Sequence, residues 1–210
     1  MKDFKLIPKI CRRIYRVIQR KRLKVSDFSI VTNTCIGGVI YHELGQRFLS
    51  PTINLTMEDT DFFKFITHLD DYLCKDLRFV SGIANYPTAY LGDLLLYFVH
   101  YKTEDEARTS WNNRKGRINK DKLYIICSDR PSQNQSITHE MMLSLKNLKC
   151  ANKVIFSTRQ YDDIDYIVHL PKDENGDYVK IYMMDKYPIT KFWKWEMKWD
   201  YVKWLNEGRI

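Results

Sequence analysis

The stretch 28-FSIVTNTCIGGVIYHELG-45 opens with apolar, β-branched residues, passes through a polar Thr32-Asn33-Thr34-Cys35 step and Gly37-Gly38, and continues as a helix-like run from Val39 to Phe48. A strand that hands over to a helix through a short polar turn is the first half of a strand-helix-strand unit. Outward from it the alternation repeats. Thr52 to Leu55 reads as a short strand, and Asp59 or Thr60 can cap a helix bearing Phe62, Phe63, Phe65, Ile66, Leu69, Tyr72 and Leu73. Arg78 to Val80 adds a short strand, and the turn residues Asn85-Tyr86-Pro87 precede the continuous apolar run Leu94 to Tyr101, which fits a strand buried on both faces. Thr103, followed by Glu104-Asp105-Glu106, starts a helix that runs through Ala107 and Trp111 toward Ile118. Leu123 to Cys127 and Val154 to Ser157 read as strands, with a helix over Ser136 to Leu148 between them. The expected fold is α/β, a three-layer α/β/α arrangement with a mainly parallel or mixed sheet.

Ligands of such sheets gather at the carboxyl ends of the strands. Four of those ends are polar: Thr32-Asn33-Thr34-Cys35, His100-Tyr101, Ser128-Asp129-Arg130 and Ser157-Thr158-Arg159. A cysteine between a strand and a helix N-terminus lies near unpaired backbone N–H groups, which lower a thiol's pKa and can hold an oxyanion. Cys35 is therefore a candidate nucleophile, with Asn33, Gly37 and Gly38 as the loop that would meet a substrate; the plain alternative is a small residue filling a tight turn. His100, which closes the Leu94 run, is a candidate general base with Tyr101 beside it, and His42 on the following helix is a second candidate. Arg114 and Arg117, three apart near a helix end with Asn119 following, suit a phosphate or carboxylate; equally, cations there answer the helix dipole. No pair of histidines, cysteines and acids has the spacing of a metal site.

In 210 residues, 44% of them apolar, there is material for one sizeable domain and not for two. Five widely spaced cysteines with no C-x-x-C, and no secretory leader, point to a reducing cytoplasm. No apolar run approaches the length of a membrane span. The formal charge of +8 is concentrated: residues 1 to 25 hold ten basic residues and one acid, so the remainder is nearly neutral. That leaves no support for specific nucleic-acid binding by the domain. Within residues 1–25, Ile7, Ile10, Cys11, Ile14, Val17 and Ile18 recur at spacings of three and four beside a basic face, giving an amphipathic helix. It either packs on the domain with its charges in water or docks, through residues 2–24, on an anionic membrane or another polyanion. Residues 26–210 then form the α/β domain, ending in a Trp-rich helix within 191-KFWKWEMKWDYVKWLNEG-208, whose aromatic surface reads as core, with interfacial membrane contact or carbohydrate stacking as the alternatives.

Three segments, "FSIVTNTCIGGVIYHELGQRFLSPTINL", "YPTAYLGDLLLYFVHYKTEDEARTSWNNRKGRIN" and "WDYVKWLNEG", together resemble bacterial exopolysaccharide-biosynthesis proteins of unknown molecular function, over most of residues 28 to 206. The resemblance implies surface-glycan assembly and a three-layer α/β/α fold, and sets the basic helix outside as a variable addition. A more distant likeness is to capsule acetyltransferases with a Gly-Asn-Cys motif and coenzyme A as donor; here Asn33-Thr34-Cys35 carries an extra residue. The leading expectation is a cytoplasmic enzyme, peripheral at the inner membrane face, that transfers an acyl group to a glycan or glycan precursor. Cys35 and His100 would be catalytic, and Arg114 with Arg117 would hold the donor's phosphates. The alternatives are a nucleotide-sugar or phosphosugar transferase and a noncatalytic adaptor of glycan assembly.

Overall fold

A computed structural model describes the backbone of residues 6–12 and, in full, residues 13–129, 137–170 and 199–208. Four strands, β1 (Ser29–Thr32), β6 (Leu123–Ser128), β7 (Asn152–Ser157) and β8 (Ile167–His169), form a parallel sheet in the order β1-β6-β7-β8. The register pairs Ser29 with Leu123, Tyr124 with Asn152 and Ile155 with Ile167. Every residue of β1 and β6 is buried, as expected of strands covered on both faces.

Alternate residues of this sheet feed two separate cores. Val31, Ile125, Cys127 and Ile155 face one, with Phe62, Phe65 and Ile66 of α3 (Asp59–Thr67), Ala107 and Trp111 of α5 (Glu104–Lys115) and Met142 of α6 (His139–Ser144). Ile30, Tyr124, Ile126, Val154 and Phe156 face the other. That second core holds Tyr15 of α1 (Leu6–Arg22), Ile40, Tyr41 and Leu44 of α2 (Ile36–Leu44), and Trp199 with Tyr201, Val202, Trp204 and Leu205 at α7 (Tyr201–Glu207). The three-layer expectation holds around the parallel sheet, and residues Trp199 and Trp204 are core, as read. Of the tryptophan stretch, Phe192, Trp193, Trp195 and Met197 lie outside the described residues.

The Leu94 to Tyr101 run does not join the parallel sheet. Its first half is β5 (Leu94–Tyr97) of a second, antiparallel sheet ordered β2-β5-β4-β3, with β2 (Thr56–Met57), β3 (Leu77–Val80) and β4 (Thr88–Leu91). Leu94 and Leu96 are buried while Leu95 and Tyr97 are only partly so, the alternation of a sheet with one covered face. Thr52 to Leu55 is not a strand either. That segment is a turn with Asn54 at φ +66°, running along the free edge of β1, where Ser29 Oγ donates to the Leu49 carbonyl and Thr52 Oγ1 accepts from Thr32 N–H at 3.1 Å. A loop thereby closes an edge that would otherwise offer unpaired backbone groups.

Local chemistry sets the helix ends near the site. Thr103 caps α5 by accepting from Glu106 N–H, and Glu106 reaches back to the N–H of Lys102. Gly45 ends α2 in the left-handed region, φ +66°, where a side chain would be strained. Helix α3 starts at Asp59 with Glu58 as its cap position and no side-chain cap bond, and it breaks at His68 before α4 (Leu69–Leu73).

Candidate functional site

Helix α2 lies against β1 because Tyr41 and Gly37 let it. Buried Tyr41 accepts from Ile30 N–H at 2.9 Å and donates to the Phe28 carbonyl at 2.8 Å, which keys the middle of α2 to the start of β1. Burial raises its phenol well above the ordinary range, so it stays a neutral donor. At the other end, a Cβ on Gly37 would stand 2.9 Å from Thr32 Cγ2 and 3.3 Å from Ile30 Cγ2. Gly37 therefore serves close helix packing, whereas a Cβ on Gly38 would make only ordinary contact with Ile53.

This packing sets Cys35 at the N-cap of α2, where its side chain makes no cap bond. The thiol is half-buried, and His100 reaches it from the turn after β5: Cys35 Sγ lies 3.3 Å from His100 Nε2. The two residues, sixty-five apart in sequence, thus meet above the carboxyl end of the edge strand β1. Burial pushes the Cys35 thiol up from its ordinary value. Against that stand the first-turn N–H groups of α2, which have no intrahelical acceptors and favour negative charge at this position. His42 is not a partner for the thiol; it occupies the last turn of α2, on the order of 10 Å along the axis at 1.5 Å per residue.

The other expected site residues divide into those that hold the site and those that do not reach it. Asn33 is fully buried: Nδ2 donates to Asp59 Oδ1 and to the Ser128 carbonyl, both at 2.8 Å, and Oδ1 accepts from Ser128 N–H at 2.9 Å. It stitches the ends of β1 and β6 to the start of α3 and has no hydrogen left for a substrate. Arg114 Nη1 donates to the Ile53 carbonyl at 2.9 Å and to Tyr101 Oη at 2.5 Å, and Tyr101 in turn donates to the same Ile53 carbonyl. Arg114 and Tyr101 thus brace the loop under α2 and do not form an open anion clamp. The Arg117 side chain is half-buried and makes no hydrogen bond or ion pair among the described residues. Asn119 lies at the opposite, amino end of the sheet, where its N–H donates to Ser29 Oγ and its Nδ2 to the Asp27 carbonyl. That separates it from Cys35 by the length of β1.

Two buried carboxylates at the carboxyl ends of the strands had no site role in the sequence reading, which gave Asp59 as a helix cap and Asp129 only as part of a polar strand end. Asp59 meets Asn33, and Asp129 accepts from Ser157 Oγ at 2.5 Å and from Arg159 Nε and Nη2 at 3.0 and 2.8 Å. Burial works to lower the Arg159 guanidinium, but the Asp129 hydrogen bonds and charge outweigh it and hold it above its ordinary value. The sequence marked Ser128-Asp129 and Ser157-Thr158-Arg159 as polar strand ends; their pairing across β6 and β7 is a tertiary property. Among the described residues no group of three or more histidines, cysteines and acids is placed to hold a metal ion.

A half-buried thiol beside an imidazole, at a helix N-terminus, on the carboxyl-end rim of a parallel sheet, is an arrangement able to carry nucleophilic catalysis. Comparison with known proteins adds kinship. A Haemophilus influenzae protein described as uncharacterized is 32% identical over 200 residues, spanning 93% of this chain and 91% of its own length. The family model of a domain of unknown function, DUF1919, matches residues 6–206, and so takes in α1, which the sequence resemblance had set outside its span. From β1 through α7, and with the N-terminal helix as an integral part, the chain belongs to the DUF1919 family.

Proposed function

We propose that the protein is a transferase that carries an acyl group on Cys35 and passes it to a hydroxyl of a glycan or glycan precursor. The observation behind this reading is the 3.3 Å approach of Cys35 Sγ and His100 Nε2. The glycan acceptor rests on the likeness of three sequence segments to exopolysaccharide-biosynthesis proteins.

Because burial raises the thiol, the nucleophile rests as the thiol, and His100 acts as a base at the moment of attack. Nε2 takes the Sγ proton as Sγ bonds to the acyl carbon of an activated donor such as a coenzyme A thioester. The donor's leaving group then departs with the proton that His100 returns. In the second half an acceptor hydroxyl gives its proton to Nε2, its oxygen attacks the S-acyl carbon, and the C–S bond breaks as Sγ regains a proton. The oxyanion of both steps would lie against the first-turn N–H groups of α2, a placement worth roughly 10²-fold or more per donor in rate. Arg114 is occupied by Ile53 and Tyr101, so donor phosphates are not assigned to it.

The test is acyl-enzyme trapping. The protein is mixed with p-nitrophenyl acetate or acetyl-coenzyme A, quenched in acid and mapped by mass spectrometry. One acetyl group on the Cys35 peptide, lost in Cys35→Ala and formed at least a hundredfold more slowly in His100→Ala, is the expected result. Equal labelling of all cysteines, or an unchanged rate in His100→Ala, overturns the proposal.

A further inference from the structure

Helix α1 docks on the domain by the side opposite to its apolar stripe. Tyr15 and Gln19 are buried, and Arg16 pairs with buried Glu43 through Nε and Nη2 at 2.6 and 3.0 Å. Arg20 Nε donates to the Glu43 carbonyl at 3.0 Å, and its guanidinium packs over Gly45. At its end α1 is tied to α7: Arg22 pairs with Asp200, and Asn206 Nδ2 donates to the Arg22 carbonyl while its Oδ1 accepts from Lys24 N–H.

With those contacts fixed, helical geometry turns Ile14, Val17 and Ile18 outward, 55%, 47% and 50% exposed. Arg13 is exposed beside them, and exposed Lys21 continues the stripe one turn on. An amphipathic helix packed only for stability buries its apolar side and leaves charge in water. Here the reverse holds, within a segment of 25 residues carrying ten basic residues and one acid.

We infer that the outward face of α1 is a docking surface for an anionic lipid bilayer, in which Ile14, Val17 and Ile18 enter the acyl boundary while Arg13 and Lys21 meet lipid phosphates. Charge selects this occupant. A second copy docking stripe to stripe would bring two strongly basic segments together. A polynucleotide would satisfy the cations and leave three branched apolar side chains in water. A membrane takes both. The helix lies in the interface and does not cross it; among the described residues no helix is long and apolar enough to span. The inference is independent of the chemistry at Cys35. It does fix where that chemistry happens, because α1 grips the end of α2 opposite to Cys35, roughly 12 Å along the axis.

The test is cosedimentation of the 210-residue chain with vesicles of phosphatidylcholine alone or with 30% phosphatidylglycerol. Binding to the anionic vesicles only, weakened at least tenfold by 0.5 M salt, by Ile14→Asp with Ile18→Asp, and separately by Arg13→Glu with Lys21→Glu, is expected. These positions are exposed, so far-UV circular dichroism and the melting temperature should stay at wild-type values, and acyl labelling of Cys35 in solution should be unchanged. Absence of binding to anionic vesicles overturns the inference. So does binding insensitive to Ile14→Asp with Ile18→Asp, or a wild-type dimer in light scattering that the same pair dissolves.

Discussion

At Cys35 two physical influences compete, and one measurement decides between them. Burial favours the thiol; the α2 N-terminus and a charged His100 would favour the thiolate. The expected outcome is that burial wins. The pH profile of Cys35 alkylation by iodoacetamide should then lie on the alkaline side of that of N-acetylcysteine, with the rate rising as pH passes the raised thiol value. A profile displaced to the acid side would mean a thiolate–imidazolium pair and would replace general-base attack with a pre-formed nucleophile. Cys35 and His100 were legible in the sequence because each stands where a strand-like run turns polar. Asp59 and Asp129 were not legible as site groups, because what distinguishes them is burial against Asn33 and against Ser157 with Arg159, and those partners are 26 to 30 residues away. Arg114 shows the converse: its residue type suggested an anion, while its geometry gives the charge to a carbonyl and a tyrosine.

At the scale of elements, β1, β6 and β7 were readable because each carries a buried apolar run, Ile30-Val31, Leu123 to Cys127 and Val154 to Phe156, and α5 because Thr103 and three acids mark its start. The same rule misassigned Leu94 to Tyr101. Leu95 and Tyr97 on the outer face of an antiparallel sheet are as apolar as their buried neighbours, so the alternation exists in the burial and not in the residue types. Strand β8, three residues long at a sheet edge, has too little sequence to announce itself. The junction of β1 and α2 offers a sharp test of how the site is held. Gly37→Ala would place a methyl 2.9 Å from Thr32 Cγ2, and should cost about 1–3 kcal/mol and slow Cys35 labelling as the N-terminus of α2 lifts. Gly38→Ala meets Ile53 only at an ordinary 3.4 Å and gains helix propensity of up to about 1 kcal/mol, so it should be neutral or stabilising. Urea denaturation of the two variants checks the difference; equal effects would mean that packing on Thr32 is not what fixes α2.

For the molecule as a whole, α1 and α7 close one face of the second core from opposite ends of the chain, and Asp200 joins them. It caps α7 by accepting from Val202 and Lys203 N–H, and it pairs with Arg22. Burial tends to raise this carboxyl, but the Arg22 hydrogen bond and the two N–H groups prevail and hold it below its ordinary value. A depressed folded-state pKa contributes stability that is complete above the ordinary carboxylate range and fades as pH falls through the lowered value. Asp200→Ala should therefore lose about 1 kcal/mol at pH 7, chiefly the cap, since an exposed ion pair adds little. The difference from wild type should narrow by pH 3. Urea titrations at both pH values measure it, and a gap that persists in acid would show that the carboxylate charge is not the source.

The Arg22–Asp200 and Asn206 ties also impose an order on biosynthesis. Arg22 leaves the ribosome 178 residues before Asp200, a delay of roughly 10–35 s at 5–20 residues per second. Through that interval the basic helix has no C-terminal latch, and a nascent chain in sight of an acidic bilayer could settle there before its own last turn of helix exists to hold it.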